Sequence, residues 1–118
     1  MEIISYIEAE QKVAEFIEND INVCCFLFYE DNCIVCNDFM NIAIPTIEEY
    51  GINVFAINLR TNFVPFPPMN TPSTYWYIKK DVPPMMKKGI PPKHILEEQL
   101  QKMIKVNKGE LTIQEAFF

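Results

Sequence analysis

The sequence predicts an α/β domain with a mixed central sheet flanked by helices. Residues 21–29 are almost continuously apolar and rich in β-branched and aromatic side chains, a pattern typical of a strand buried on both faces. Residues 52–59 alternate and predict a second buried strand, parallel to the first. Residues 8–19 and 93–107 carry apolar side chains at helical spacing. Because strands and helices alternate, right-handed crossovers make the first strands parallel. We therefore expect the order β-α-β-α-β, followed by β-β-α.

The remaining elements complete this order. A short strand is expected near residues 2–6, and residues 73–80 and 85–88 form a late antiparallel hairpin. The proline-rich residues 61–72 predict an irregular connection that has room for one helical turn. In the tail, residues 109–118, Thr112-x-x-Glu115 is a capping-box pattern that can start a short terminal turn. At 118 residues the sequence predicts one domain spanning residues 1–118.

Composition excludes several classes of function. The formal net charge is −6, and no lysine or arginine occurs between Lys12 and Arg60. A nucleic-acid surface needs clustered basic side chains, so we expect no nucleic-acid partner. The N-terminus lacks the basic segment of a secretory signal, and the apolar run at residues 23–28 is too short to cross a bilayer. We therefore expect a cytoplasmic protein without a membrane partner.

Cys33 and Cys36 form a Cys-x-x-Cys sequence between an apolar strand and a helical pattern. Thiols three residues apart can close a disulfide, and a helix N-terminus stabilises a thiolate. With Asn32 as the predicted cap of this helix, Cys33 lies in the first turn, nearer solvent, and is the candidate nucleophile. Cys36 lies one turn further in and is the candidate resolving thiol. The sequence therefore predicts thiol–disulfide exchange.

Acidic residues surround this pair. Glu30, Asp31 and Asp38 flank the two cysteines, and negative charges oppose the formation of a thiolate. We expect the Cys33 thiol to be less acidic than in strongly oxidising proteins of this type. The pair is therefore expected to act as a reductant.

The chain resembles the thioredoxin family over roughly residues 2–107. The resemblance rests on the Cys33/Cys36 pair after the second strand, on Glu48-Glu49-Tyr50 followed by residues 52–58, and on Thr71-Pro72-Ser73 opening a strand. It departs from the family at the residues between the thiols, Ile34-Val35. It also departs where Leu27 and Ala56 replace a buried carboxylate and a lysine, and where the helix proline, Pro45, comes one turn late.

The resemblance implies a cis proline at Pro72 that faces the redox pair. Asn32, Ile34, Thr71 and Pro72 would then form the rim of a shallow groove, where the Thr71 backbone can pair with a substrate chain. The implied activity is the reduction of protein disulfides, with electrons supplied by a reductase or another dithiol donor. No metal or organic cofactor is expected beyond the Cys33–Cys36 disulfide.

Three other interpretations stay open. A redox-silent binding module could hold a protein partner beside Pro72, since Leu27 and Ala56 remove the groups that assist proton transfer. A glutathione-dependent relative is possible in principle, although its basic contacts are not evident. A structural zinc usually needs four ligands, and only Cys24, Cys25 and His94 remain to complete one. We expect Cys24 and Cys25 to be core residues on opposite faces of a strand.

Overall fold

The computed structural model of the protein describes residues 1–19 and 22–118. The predicted helix stop at Asp20 and the predicted strand start at Ile21 lie outside the described residues. Five strands are described: β1 (Glu2–Ile3), β2 (Cys24–Tyr29), β3 (Asn53–Asn58), β4 (Ser73–Tyr77) and β5 (Met85–Lys88). Five α-helices accompany them: α1 (Tyr6–Asn19), α2 (Ile34–Asp38), α3 (Ile44–Glu49), α4 (Lys93–Asn107) and α5 (Ile113–Phe117).

The strands form one mixed sheet in the order β1-β3-β2-β4-β5. β1 and β2 run parallel to β3, whereas β4 is antiparallel to β2 and pairs with β5 as the outer hairpin. The predicted element order and mixed sheet are confirmed. Successive side chains of β2 point to opposite faces of the sheet, so Cys25 and Leu27 lie in one core and Cys24, Phe26 and Phe28 lie in the other.

The two cores lie on opposite faces of the sheet. The first core receives the π-helical segment Phe39–Ala43, α3 and α4 through buried side chains such as Phe39, Ile47 and Leu100, and α5 through Ala116. The second core receives α1 through Ala9 and Phe16. We call the side of the sheet that carries the first core the covered face, and the side that carries the second core the α1 face.

Helix α1 begins at Tyr6, earlier than the sequence interpretation placed it. The Ser5 hydroxyl accepts a hydrogen bond from the Glu8 backbone N–H at 3.1 Å, and the Glu8 carboxylate accepts one from the Ser5 N–H at 3.3 Å. This reciprocal pair is a capping box. The Ser5-x-x-Glu8 pattern is visible in the sequence, but the β-rich residues around it favoured a strand.

Residues 34–49 form one helical segment with a π-helical part, Phe39–Ala43, between α2 and α3. The Ile44 N–H donates to the Phe39 carbonyl five residues earlier. Pro45 follows directly, and a proline has no N–H with which to continue the helical ladder. Pro45 therefore does not end the helical segment, and the irregularity that a proline causes in a helix is a widened turn immediately before it.

The connection between β3 and β4 contains no helix. Residues 59–72 consist of turns and bends, so the helical turn allowed there is absent. Pro65, Pro67 and Pro68 remove backbone donors along this stretch and restrict the residues before them to extended conformations. We call residues 59–72 the long loop.

The tail folds back onto the covered face. Thr112 and Glu115 make both hydrogen bonds of the predicted capping box, each at 3.1 Å, and α5 follows. Ala116 is buried and Phe117 packs against the covered core, whereas Phe118 is exposed. No helix in the described part of the chain is long and apolar enough to span a membrane.

Candidate active site at the Cys33–Cys36 disulfide

The candidate site lies where β2 ends and α2 begins. Cys33 and Cys36 form a disulfide with their Cα atoms 5.1 Å apart. Cys36 is 1% exposed, whereas Cys33 is only partly buried. In thiol–disulfide exchange an attacking sulfur must reach the substrate, whereas a resolving thiol need only reach its neighbour, so the roles assigned to Cys33 and Cys36 stay a prediction.

Cys33 itself is the cap of α2. Its sulfur accepts a hydrogen bond from the Cys36 backbone N–H at 3.2 Å, and its carbonyl accepts one from the Asn37 N–H at 3.1 Å. The predicted cap, Asn32, is wrong: it lies outside the helix in the left-handed region, with φ 62°. Asn32 provides the sharp turn that lets Cys33 take the cap position. The Cys33 sulfur thus accepts from a backbone N–H of the first helical turn that has no carbonyl partner within the helix.

Thr71 lies across from Cys33. The Cys33 sulfur is 3.9 Å from both the carbonyl oxygen and the hydroxyl oxygen of Thr71. The antiparallel register explains this approach, because Phe28 pairs with Ser73 and brings the residues just before β4 next to those just after β2. The Thr71–Pro72 peptide bond is cis, as expected from the resemblance.

Pro72 holds the segment before β4 in place through its buried ring and its backbone carbonyl. Its ring is fully buried, and its carbonyl accepts a hydrogen bond from the Gly89 N–H at 2.9 Å. Thr71 precedes the first residue of β4, so its backbone lies outside the strand pairing of the sheet. The structure therefore brings Thr71 and Pro72 together with the redox pair, while Asn32 and Ile34 lie exposed on the helix side.

The rim beside the disulfide is apolar. Ile34 is 77% exposed, and Val35 is also exposed. Exposed β-branched side chains next to a partly exposed sulfur offer a contact for apolar parts of another chain.

Two of the three acidic residues near the site, Glu30 and Asp31, have partners that the sequence did not predict. The Asn58 side-chain amide donates to both carboxylate oxygens of Asp31, at 3.2 and 3.1 Å. The Glu30 carboxylate lies 3.7 Å from Arg60 Nε. Both partners follow from the parallel pairing of β2 and β3, which ends at Tyr29 and Asn58. A polar residue closing an apolar strand is the only sequence signal for Asn58.

The departures from the thioredoxin pattern lie side by side in the core. Leu27 and Ala56 are register partners on β2 and β3, and neither is exposed to solvent. No ionisable side chain thus occupies either position.

The other candidate residues have structural positions. Cys24 and Cys25 are free and buried on opposite faces of β2; burial raises the pKa of Cys24 to about 12 and also raises that of Cys25. His94 is exposed at the start of α4. Across residues 1–19 and 22–118, no group of three or more His, Cys, Asp or Glu residues could hold a metal ion.

No protein-family model matches the chain, and no curated protein matches its sequence. Solved structures do resemble it. Chloroplastic thioredoxin z superposes with a TM-score of 0.71 at 20% identity, covering 87% of this chain and 93% of the other. Thioredoxin O2 from Arabidopsis thaliana, in its oxidised state, gives 0.65 at 12% identity and covers 88% and 94%. The Malassezia sympodialis thioredoxin Mala s 13 gives 0.59 at 15% identity and covers 87% and 90%.

The chain therefore has the thioredoxin fold, with a Cys-x-x-Cys disulfide at the N-terminus of α2. At these identities the likeness concerns the fold.

Proposed function

We propose that the protein is a dithiol–disulfide oxidoreductase that reduces protein disulfides. One observation carries the proposal: a partly exposed Cys33 is bonded to a buried Cys36 at a helix N-terminus, and Thr71 faces it across a narrow gap. This arrangement offers an accessible sulfur, a resolving thiol within reach and an unpaired backbone segment that can hold a substrate chain.

The reaction is a two-step exchange. In the reduced protein, the Cys33 thiolate attacks one sulfur of a substrate disulfide and forms a mixed disulfide, and the other substrate sulfur leaves as a thiolate. The Cys36 thiolate then attacks Cys33, which releases the second substrate sulfur and closes the Cys33–Cys36 disulfide. Two electrons pass to the substrate. A reductase or another dithiol donor returns two electrons and two protons in a reducing compartment such as the cytoplasm.

The protein's own residues stabilise the attacking sulfur. The Cys36 N–H that contacts Cys33 Sγ favours the thiolate, and the helix N-terminus adds to this. Glu30 and Asp31 act in the opposite direction, although Arg60 and Asn58 hold their carboxylates. We propose a pair that works as a reductant and that needs neither a metal nor an organic cofactor. Asn32, Ile34, Thr71 and Pro72 form the substrate rim in this proposal.

Trapping experiments test the proposal directly. The wild-type protein with a dithiol donor is expected to reduce insulin disulfides, and Cys33→Ser to abolish the activity. Cys36→Ser is expected to accumulate a mixed disulfide with the substrate, because its Cys33 can attack but nothing resolves the product. Cys24→Ala is the matched control, since it removes a thiol that stays buried, and it should retain activity.

A redox titration fixes the direction of electron flow. We expect Cys33 and Cys36 to oxidise together with a midpoint potential of about −270 mV, as in thioredoxin. A midpoint near about −120 mV would mean that the protein is an oxidant. Trapping through Cys36 instead of Cys33 would reverse the assigned roles.

The apolar Leu27–Ala56 pair favours one alternative function, a redox-silent module that holds a protein partner beside Pro72. In that case wild type and Cys33→Ser would be equally inactive in the insulin assay, while both would bind the same partner.

A further inference from the structure

A cavity of about 260 Å³ opens on the α1 face, away from the disulfide. Its floor consists of aromatic side chains from the sheet, with Phe28 and Tyr75 in edge-to-face contact at 5.3 Å between ring centroids. Ala9 and Val13 of α1 form one wall. Apolar walls and an aromatic floor are typical of sites that take apolar groups from a ligand.

The long loop forms the opposite wall but does not close the cavity. Of its large apolar side chains, Val64 is buried in the α1-face core, whereas Phe63, Phe66 and Met69 are 85%, 91% and 95% exposed. Phe66 also lines the cavity. Three large apolar side chains held in water on one loop mark an interaction surface. A small molecule filling the cavity would leave Phe63 and Met69 uncovered, so the exposed area fits a macromolecule.

The charged side chains on this face determine which kind of macromolecule it can bind. Helix α1 carries four glutamates and one lysine, and that lysine is 3.9 Å from Glu15. Among residues 1–19 and 22–118, Glu10 is the only one lining the cavity that is charged at neutral pH. Arg60, at the start of the long loop, already faces Glu30. Lys79 and Lys80 border a separate hollow beside Phe16 and Ile17, at the other end of α1. The surface around the cavity itself is therefore acidic, so it disfavours nucleic acid, anionic lipid and a second copy of itself, and it attracts a basic segment.

We propose that the cavity and the exposed side chains of the long loop form a docking site for a basic segment of a protein partner. The segment inserts an aliphatic or aromatic side chain above Phe28 and Tyr75, packs against Phe66, and places a lysine or arginine beside Glu10. The site uses neither cysteine of the disulfide, so it does not rest on the proposed oxidoreductase activity.

Selection from a random peptide library displayed on phage tests this docking site. The bait is the Cys33→Ser/Cys36→Ser double variant, which excludes capture through a disulfide. We expect the selected peptides to share one or two large apolar residues flanked by lysine or arginine. Synthetic copies should bind more weakly as the salt concentration rises. Acidic or uncharged selected sequences, or no enrichment at all, would overturn the proposal.

Matched variants then locate the binding surface. Phe66→Ser is expected to weaken the selected peptide at least about tenfold, as for a central apolar contact. Phe118→Ser removes an equally exposed phenylalanine (93%) that does not line this cavity, and should leave binding unchanged. Glu10→Lys should weaken binding by roughly two- to fivefold, as expected for a rim charge. Glu110→Lys, at an exposed position beyond α4, is its control.

Two further measurements separate other occupants. Sedimentation of the wild-type protein should show a monomer; a dimer that Phe66→Ser dissociates would identify a second copy as the occupant and overturn the proposal. Phosphatidylglycerol vesicles should not bind the protein, and binding that depends on Phe66 would assign this face to a membrane surface instead. Loss of peptide binding in both phenylalanine variants would show that the peptide does not use the cavity.

Discussion

The two faces of the sheet are packed by different means. On the covered face, three helices and the folded-back tail enclose side chains such as Leu27, Trp76 and Leu100, which are almost completely shielded from solvent. On the α1 face, one helix and an irregular loop share the same width of sheet, and a cavity remains between them.

The difference shows what proline does to a packing layer. The long loop spans 59–72, which is long enough for several helical turns, but its prolines prevent a helix from forming and burying an apolar stripe. The apolar side chains of the loop therefore remain, yet most of them face water. The covered face can be expected to supply stability, and the α1 face to supply binding.

The largest expected effect is a difference between two phenylalanines. Phe39→Ala on the covered face should lower the free energy of unfolding by about 3–5 kcal/mol, since its ring is only 1% exposed and borders no more than a small hollow of about 120 Å³. Phe28→Ala should cost about half as much, because its ring is 8% exposed and borders the larger cavity of about 260 Å³. Urea unfolding monitored by circular dichroism measures both. Equal losses would mean that the cavity is closed in solution.

The next comparison uses two buried helical alanines and should give opposite signs. Ala43→Leu on the covered face is expected to destabilise the protein by about 1–3 kcal/mol through overpacking. Ala9→Leu lines the cavity and should stabilise it by about 0.5–1 kcal/mol by filling open space. Thermal unfolding checks both, and Ala9→Leu should also reduce peptide binding. Destabilisation by both variants would break the comparison between the faces.

The smallest expected effect concerns Cys24, whose side chain lies on the α1 face. The unfolded chain releases this thiol proton from about pH 9 upward, whereas the folded protein, in which the pKa of Cys24 is about 12, retains it. The stabilising contribution is therefore complete below about pH 9 and is lost as the pH rises towards 12. Near pH 10 the loss is roughly 1 kcal/mol.

Cys24→Ala should make this alkaline decline shallower in urea titrations between pH 8 and pH 10, and the part due to Cys25, whose pKa burial also raises, should remain. Val23→Ala is the control, because Val23 is equally buried and does not titrate. If Cys24→Ala follows the wild-type curve, water must reach the thiol through the α1 face, and this face would be more open than described.

The sequence predicted the elements whose signals are local. The turn residues 81–84 and the helical periodicity of 93–107 located β5 and α4 at their observed bounds, and Thr112-x-x-Glu115 located the start of α5. In each case neighbouring residues determine the conformation through burial periodicity or a cap. The Cys33–Cys36 disulfide was predictable for the same reason, because its spacing and its position after a strand are local features.

What the sequence could not predict depends on contacts between distant segments. Asn58 became part of the site only because β3 lies parallel to β2 and ends beside Asp31. The cap at Cys33 required Asn32 to adopt a left-handed backbone, a conformation that asparagine tolerates but that its sequence position does not demand. The cavity arises from the failure of the long loop to fill a space, which is a property of the whole packed layer.

A line of side-chain amides connects the two surfaces that the molecule presents. The Asn58 side-chain amide donates to Asp31, and the Asn58 backbone carbonyl accepts a hydrogen bond from the Asn62 side-chain amide at 3.0 Å. Asn62 in turn accepts one from the Tyr6 N–H, at the start of α1 beside the cavity, at 2.9 Å.

The disulfide site and the cavity are therefore connected by the hydrogen bonds of two asparagines, Asn58 and Asn62. A chimera that exchanged residues 29–33 alone would leave Asn58 without its carboxylate partner, and the end of β3 would lose a contact that helps to hold it. Swaps between relatives of this fold would have to transfer residues 29–33, 58–62 and 5–6 together.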